Sequence, residues 1–186
     1  VLLDGVERGL QRRDGLRREA GEHLVGDRES QRRQILDGPA AGLGTPEFLC
    51  ELHRQFYSRL PASFQEVVDD SGRKYGIEPG ALRSAVVSVG QHLAPAPDKL
   101  PDFLRRFADF YLPLIQPTPQ GIVAAFAAHH RLAWIHPFLD GNGRVTRLFT
   151  QAWLHLAGAS ADGLWTLARG LARRQDHYKA ALSNAD

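Results

Sequence analysis

The sequence predicts an all-α domain that carries one small β-hairpin. Three observations point there. Apolar residues recur at three- and four-residue intervals through most of the 186-residue chain. Two Thr-Pro pairs, at 45–46 and 118–119, open such stretches with threonine placed to cap and proline in the first turn. One segment alone, "RSAVVSVGQH" at 83–92, is dominated by β-branched residues and reads as a short strand pair, the only β expected in the chain.

The elements follow in order. Residues 1–44 differ in texture from the rest and form a mixed-charge helical extension that ends in the small-residue linker "PAAGLG" at 39–44. Its arginine doublets suggest nucleic acid, but eight acids (Asp4, Glu7, Asp14, Glu19, Glu22, Asp27, Glu29, Asp37) offset eight arginines, so no net basic footprint exists. A second domain is expected over 45–186. Its first helix starts at Thr45-Pro46, runs through Phe48, Leu49, Leu52, Phe56 and Leu60, and stops at Pro61. After the strand pair and a Pro-rich loop, Leu104, Phe107, Tyr111 and Leu114 mark a helix. The next is capped by Thr118 and places Ile122, Phe126, His129 and Ala133 on one face. Val145, Leu148, Phe149, Ala152 and Leu156 stripe the following one, with Arg144, Arg147 and Gln151 on a different face. A last helix uses Leu164, Leu167, Leu171, Tyr178 and Leu182.

Composition narrows the function classes. The chain is 43% hydrophobic and 24% charged, with a net charge of +2, so bulk electrostatics favour neither nucleic acid nor membrane. Of 23 basic residues only Lys74, Lys99 and Lys179 are lysine, and methionine is absent, which reads as codon bias in a longer gene product. The lone Cys50 excludes an intrachain disulfide and a cysteine-based zinc site. No run of about 18 apolar residues occurs. A cytoplasmic protein is expected, with export as an effector left open.

The chemistry concentrates in "HPFLDGNGRVTR", residues 136–147. Gly141-Asn142-Gly143 turns the chain into a helix whose first amides have no intrahelical acceptor and carry the positive end of its dipole. Such a start is an anion site suited to phosphate. Arg144 and Arg147 lie one turn apart, so both guanidinium groups are expected to reach one polyphosphate. Asp140 can hold a Mg²⁺ ion, which needs only one or two carboxylates when phosphates complete its shell. His136 stands across the turn. An imidazole kept neutral by a nearby helix N-terminus can accept a proton from an incoming hydroxyl. Together these parts predict transfer of a phosphate-containing group onto an alcohol, without saying which phosphorus is attacked.

This stretch resembles the motif of the Fic family: His-Pro-Phe, any residue, Asp or Glu, Gly-Asn-Gly-Arg, two of any kind, Arg. Every defined position matches, from His136 to Arg147. The similarity extends over about 45–186: "GALRSAVVSVGQHLAPAP" is similar to the family's flap region and "AAFAAHHRLAWI" to the helix leading into the motif. The resemblance implies a helical domain with a β-hairpin flap beside the active site. It implies transfer of AMP from ATP to a Ser, Thr or Tyr hydroxyl of a target protein, with release of pyrophosphate. His136 would be the general base and Asp140 the Mg²⁺ ligand. Gly141, Asn142 and Gly143 would surround the α- and β-phosphates with help from Arg144, and Arg147 would hold the γ-phosphate. Phe138 would anchor the loop in the core. Val87, Ser88, Val89, Gly90 and Gln91 would dock the target backbone by strand addition, and Tyr178 would either line the adenine pocket or pack in the core.

Doc-type phosphotransferases carry lysine at the position of Gly143, so this glycine favours nucleotide transfer. Many family members also carry an inhibitory helix in which a glutamate is followed by Gly or Asn. None of the eight glutamates here has that neighbour. The restraint is therefore expected on a flanking segment, on a separate antitoxin chain, or nowhere. Removal of AMP, transfer of UMP, phosphocholine or phosphate, and a non-catalytic nucleotide-binding module remain as alternatives. His129, His130 and His155 read as structural histidines, and Trp134, Trp153 and Trp165 as packing residues. No P-loop occurs.

Overall fold

The structure, a computed structural model, describes residues 42–69, 72–159 and 165–185. The charged extension before residue 42 and Leu164 of the last expected helix lie outside them. Helix α1, Pro46–Tyr57, opens as the sequence predicts: Thr45 Oγ1 accepts from the Phe48 amide at 3.2 Å and Pro46 sits in the first turn. It ends at Tyr57, short of Pro61, because Ser58 closes it by donating its amide and its hydroxyl to the Arg54 carbonyl. Its buried face carries Leu49, Leu52, His53 and Tyr57.

Two hairpins follow, where the sequence suggested one. Strands β1, Glu66–Val68, and β2, Lys74–Gly76, pair antiparallel with Val67 opposite Tyr75. Asp69 closes their connection, its carboxylate accepting from the Arg73 amide and the Tyr75 hydroxyl, both at 3.0 Å. Three residues per strand are too few for alternation to register, so the side-chain clasp had to be seen to find them. This hairpin joins Tyr57, Val67, Ile77 and Leu139 in a small satellite core. The expected hairpin is also present, but shorter than 83–92. Strands β3, Ser88–Val89, and β4, His92–Leu93, pair around a turn in which Gly90 takes φ 60°.

Helix α2, Leu100–Tyr111, buries Leu100, Leu104, Phe107 and Ala108, while Leu114 falls in a short 3₁₀ turn beyond it. Helix α3, Pro119–Ile135, is capped by Thr118 as expected, yet its inner face differs from the predicted one. The buried residues are Gly121, Ala124, Ala125, Ala128, His129, Leu132 and Ile135, and Phe126 is 49% exposed. Small residues win the inner face because α3 lies closely along α4, Asn142–Leu156, its most extensive neighbour. Helix α4 is the central element. Val145, Phe149, Ala152, Trp153 and Leu154 are all buried in it, within a core completed by Leu49, Leu104, Leu132, Ile135 and Phe138. The last expected helix is two, α5, Leu167–Arg173, and α6, Gln175–Asn184, broken where Arg174 leaves helical geometry. Among the described residues no helix is long and apolar enough to cross a membrane.

Candidate active site

The site is built where α3 hands over to α4. His136 terminates α3 in the left-handed region, φ 51° and ψ 60°, the only non-glycine among the described residues with positive φ. Such a conformation persists only when its surroundings hold it. Phe138 then plunges into the core, wholly buried and stacked on His53 at 4.1 Å. Asn142 closes the loop on Phe138 with two bonds: its Oδ1 accepts from the Phe138 amide at 2.8 Å, and its Nδ2 donates to the Phe138 carbonyl at 2.7 Å. Its side chain is therefore a loop clasp. Gly141 has φ 84°, and a Cβ there would lie 2.6 Å from Tyr57 Cε2, so glycine is required twice over.

His136 Nδ1 lies 3.2 Å from the Ala133 carbonyl, which can only accept. The ring proton is thus on Nδ1, and Nε2 is the basic nitrogen. The imidazole pKa is lowered to about 4, chiefly by burial, with Arg83 and His92 acting in the same direction against the Ala133 carbonyl and Asp140. The neutral form predicted from sequence is present, but desolvation is its main cause and not a helix terminus.

Asp140 is gripped on three sides. Its Oδ1 accepts from the Gly141 amide at 2.6 Å and its Oδ2 from the Tyr57 hydroxyl at 2.7 Å. Arg144 Nη2 stands 3.8 Å from Oδ2, and Arg144 Nη1 donates to the Tyr57 oxygen at 2.8 Å. The guanidinium carbon lies 4.8 Å over the Phe56 ring. The Asp140 carbonyl accepts from His53 Nε2 at 3.1 Å; this tautomer is required because His53 Nδ1 accepts from the Gly80 amide at 2.8 Å. Burial takes the His53 pKa down to about 4 and raises that of Tyr57. Neither His53 nor Tyr57 was singled out from the sequence. Their signal was available: two polar rings four residues apart on an otherwise apolar helix face.

Arg147 faces the other way. Its guanidinium lies across Gly143, with Nη1 3.1 Å from where a Cβ would sit, and is close enough to the Tyr178 hydroxyl of α6 for that group to offset part of the burial that lowers its pKa. Arg144 is thus bonded to Tyr57 of α1, while Arg147 lies over Gly143 on the side of α6. Behind Arg147 runs a chain with one consistent direction. Thr150 donates its hydroxyl to the Thr146 carbonyl at 2.7 Å, so its oxygen accepts from His129 Nδ1 at 2.8 Å. His129 Nε2 then accepts from Tyr178 at 2.8 Å, and burial raises the Tyr178 pKa against the nearby Arg147, which lowers it. Burial, then Arg147, holds the His129 pKa near 4, as a neutral ring in this chain requires. Tyr178 is thus hydrogen-bonded to His129 and not simply packed.

The amides of Asn142 and Gly143 open α4 with no intrahelical acceptor, while those of Arg144 and Val145 return to the Gly141 carbonyl at 3.0 Å. Gly143 is exposed. The β3–β4 hairpin leans on the end of α3, His92 Nε2 donating to the Trp134 carbonyl at 2.8 Å. Val87 is buried beneath it, Ser88 is half-buried, and Val89, Gly90 and Gln91 are exposed. A cleft of about 360 Å³ runs beside the loop, lined by His53, Tyr75, Ile77, Arg83 and Leu139 among others.

A family model described as Fic/DOC family matches residues 44–154, a span that contains the whole 136–147 loop. The chain belongs to the Fic/DOC family. The relative "Protein adenylyltransferase Fic" of Nematostella vectensis is 39% identical over 87 residues, 47% of this chain and 20% of that one. The protein of the same name from Drosophila willistoni is 32% identical over 111 residues, 58% of this chain and 22% of its own length. This Fic/DOC chain therefore spans about a fifth of these relatives. Among solved structures, a Fic family protein from Desulfovibrio desulfuricans matches 88% of this chain and 45% of its own, with TM-score 0.59 and 24% identity, a likeness of fold. A Fic domain containing signaling protein from Bacteroides thetaiotaomicron matches 68% and 44%, with TM-score 0.51 and 26% identity.

Proposed function

We propose that this Fic/DOC chain transfers AMP from ATP to a Ser, Thr or Tyr hydroxyl of a target protein, with His136 as the general base. The observation that carries the reading is the setting of His136. Its Nδ1 proton is spent on the Ala133 carbonyl and burial keeps the ring neutral, so Nε2 is ready to accept a proton at physiological pH. Beside it, the unbonded first-turn amides of α4 and the guanidinium of Arg147 offer donors to phosphate oxygens. In the step itself Nε2 takes the hydroxyl proton as the oxygen attacks the α-phosphorus. The bond from that phosphorus to the bridging oxygen breaks, and pyrophosphate leaves. The adenylyltransferase names of the relatives support this choice of reaction.

The donor set suits Mg²⁺. Asp140 supplies a carboxylate at the start of the glycine turn, and one carboxylate suffices when phosphates fill the remaining positions. A bound Mg²⁺ would neutralise charge on the phosphates and on the departing pyrophosphate. The β3–β4 hairpin supplies a short strand with an exposed tip on which a target segment can pair. Gly143, at the position where Doc-type phosphotransferases carry lysine, favours nucleotide transfer over transfer of the γ-phosphate.

The test is parallel incubation with α-labelled and γ-labelled MgATP in the presence of cell lysate. Label on protein from the α-position alone is the expected result. Label from the γ-position would make the chain a phosphotransferase, and label from neither would reject ATP as the donor under these conditions.

A further inference from the structure

Arg83 stands outside the motif, fifty residues upstream, yet it is 4% exposed and all its bonds go to backbone carbonyls. Nε donates to His136 at 2.7 Å, Nη1 to Ala85 at 2.8 Å, and Nη2 to Pro95 at 2.6 Å and to Ile135 at 3.5 Å. Its own amide donates to the Pro137 carbonyl at 3.0 Å. These acceptors form three groups. Ala85 lies just before β3, Pro95 just after β4, and residues 135–137 are the end of α3 and the start of the catalytic loop. One planar fork therefore binds both ends of the hairpin to the backbone of His136. The α3 end carries the negative pole of its helix, so a buried cation with no carboxylate bonded to it is stabilised there.

Two further facts sharpen the point. His136 is the strained residue of the loop, at φ 51°, and Arg83 holds its carbonyl. The hairpin's other tether, His92 to the Trp134 carbonyl, reaches the same helix end. Both tethers therefore end on the backbone of residues 134–136, at and beside His136.

We infer that Arg83 is a positioning residue that couples the target-docking hairpin to His136, setting the base against the hydroxyl a docked target presents. This deepens the proposed AMP transfer and rests on that reading for its effect on rate.

The experiment compares wild type, Arg83→Gln and Arg83→Lys by target labelling, MgATP titration and hydrogen exchange. Arg83→Gln is expected to lower kcat about a hundredfold, the scale of a misplaced reacting group, with Kd for MgATP unchanged within about twofold. Arg83→Lys keeps the charge but loses the fork, and is expected to lower kcat about tenfold. Exchange should rise together in peptides covering 86–95 and 133–141, and stay unchanged in α2. A folded Arg83→Gln protein with wild-type kcat overturns the proposal. So does exchange that rises in the hairpin alone, or a loss of ATP binding in step with kcat. Failure of both variants to fold would assign Arg83 to general stability and overturn it too. If the wild type itself transfers no AMP, the proposed function fails, while the exchange data still decide whether hairpin and loop are coupled.

Discussion

Arg144 and Arg147 stand one turn apart on α4, and the two sides of the site treat them differently. On the α1 side, Arg144 is set against Phe56, Tyr57 and Asp140, and Tyr57 is itself wholly buried in the domain. On the α6 side, Arg147 lies near Tyr178, which projects from a helix with no buried residue. One side is welded to the core; the other hangs on a hydrogen-bonded chain through His129 to Thr150. Elements with few buried contacts open at low free-energy cost. In the proposed transfer, which takes in a triphosphate and releases pyrophosphate, the α6 side is the wall that can adjust.

Acid should strike both sides at once and have the largest effect. His53 on the α1 side, His129 on the α6 side and His136 between them each have a folded pKa near 4 against about 6.5 unfolded. The unfolded chain then binds more protons in that window, so stability is complete above pH 6.5 and falls as pH drops towards 4. Denaturant titrations across pH 4 to 7 check this, and a flat profile would contradict the buried neutral rings.

Next in size is Gly141→Ala on the α1 side. Left-handed backbone strain and the clash with Tyr57 should together cost about 3 kcal/mol in chemical denaturation. The matched pair of phenol deletions tests the comparison itself. Tyr57→Phe removes bonds to Asp140 and Arg144 and should cost about 2 kcal/mol. Tyr178→Phe should cost under about 1 kcal/mol, because water can replace the phenol on that outer helix, while raising KM for ATP severalfold. Equal stability losses from the two would erase the distinction between the sides.

How much of this was legible in the sequence follows the same divide. The loop from His136 to Arg147 is contiguous, so its residue types and spacing could be read directly, and both Thr-Pro helix starts formed as predicted. The groups that hold the loop come from elsewhere. His53 and Tyr57 sit on an apolar stripe and look like ordinary core positions until Asp140 is folded against them. Arg83 is one basic residue among 23, and only its placement at the end of α3 distinguishes it. The setting of Arg144 was not readable, because its partner Tyr57 lies 87 residues away in the chain. The β1–β2 hairpin escaped for a different reason: its strands are too short for a period, and the Asp69 clasp supplies the specificity.

The central claim is that His136 is the base while the α4 start and Arg147 hold the nucleotide. The measurement that tests it most directly is His136→Ala assayed with α-labelled MgATP and, in parallel, by MgATP titration calorimetry. Loss of labelling with nucleotide affinity close to wild type is the predicted result. Labelling at the wild-type rate would contradict the claim and move the base elsewhere.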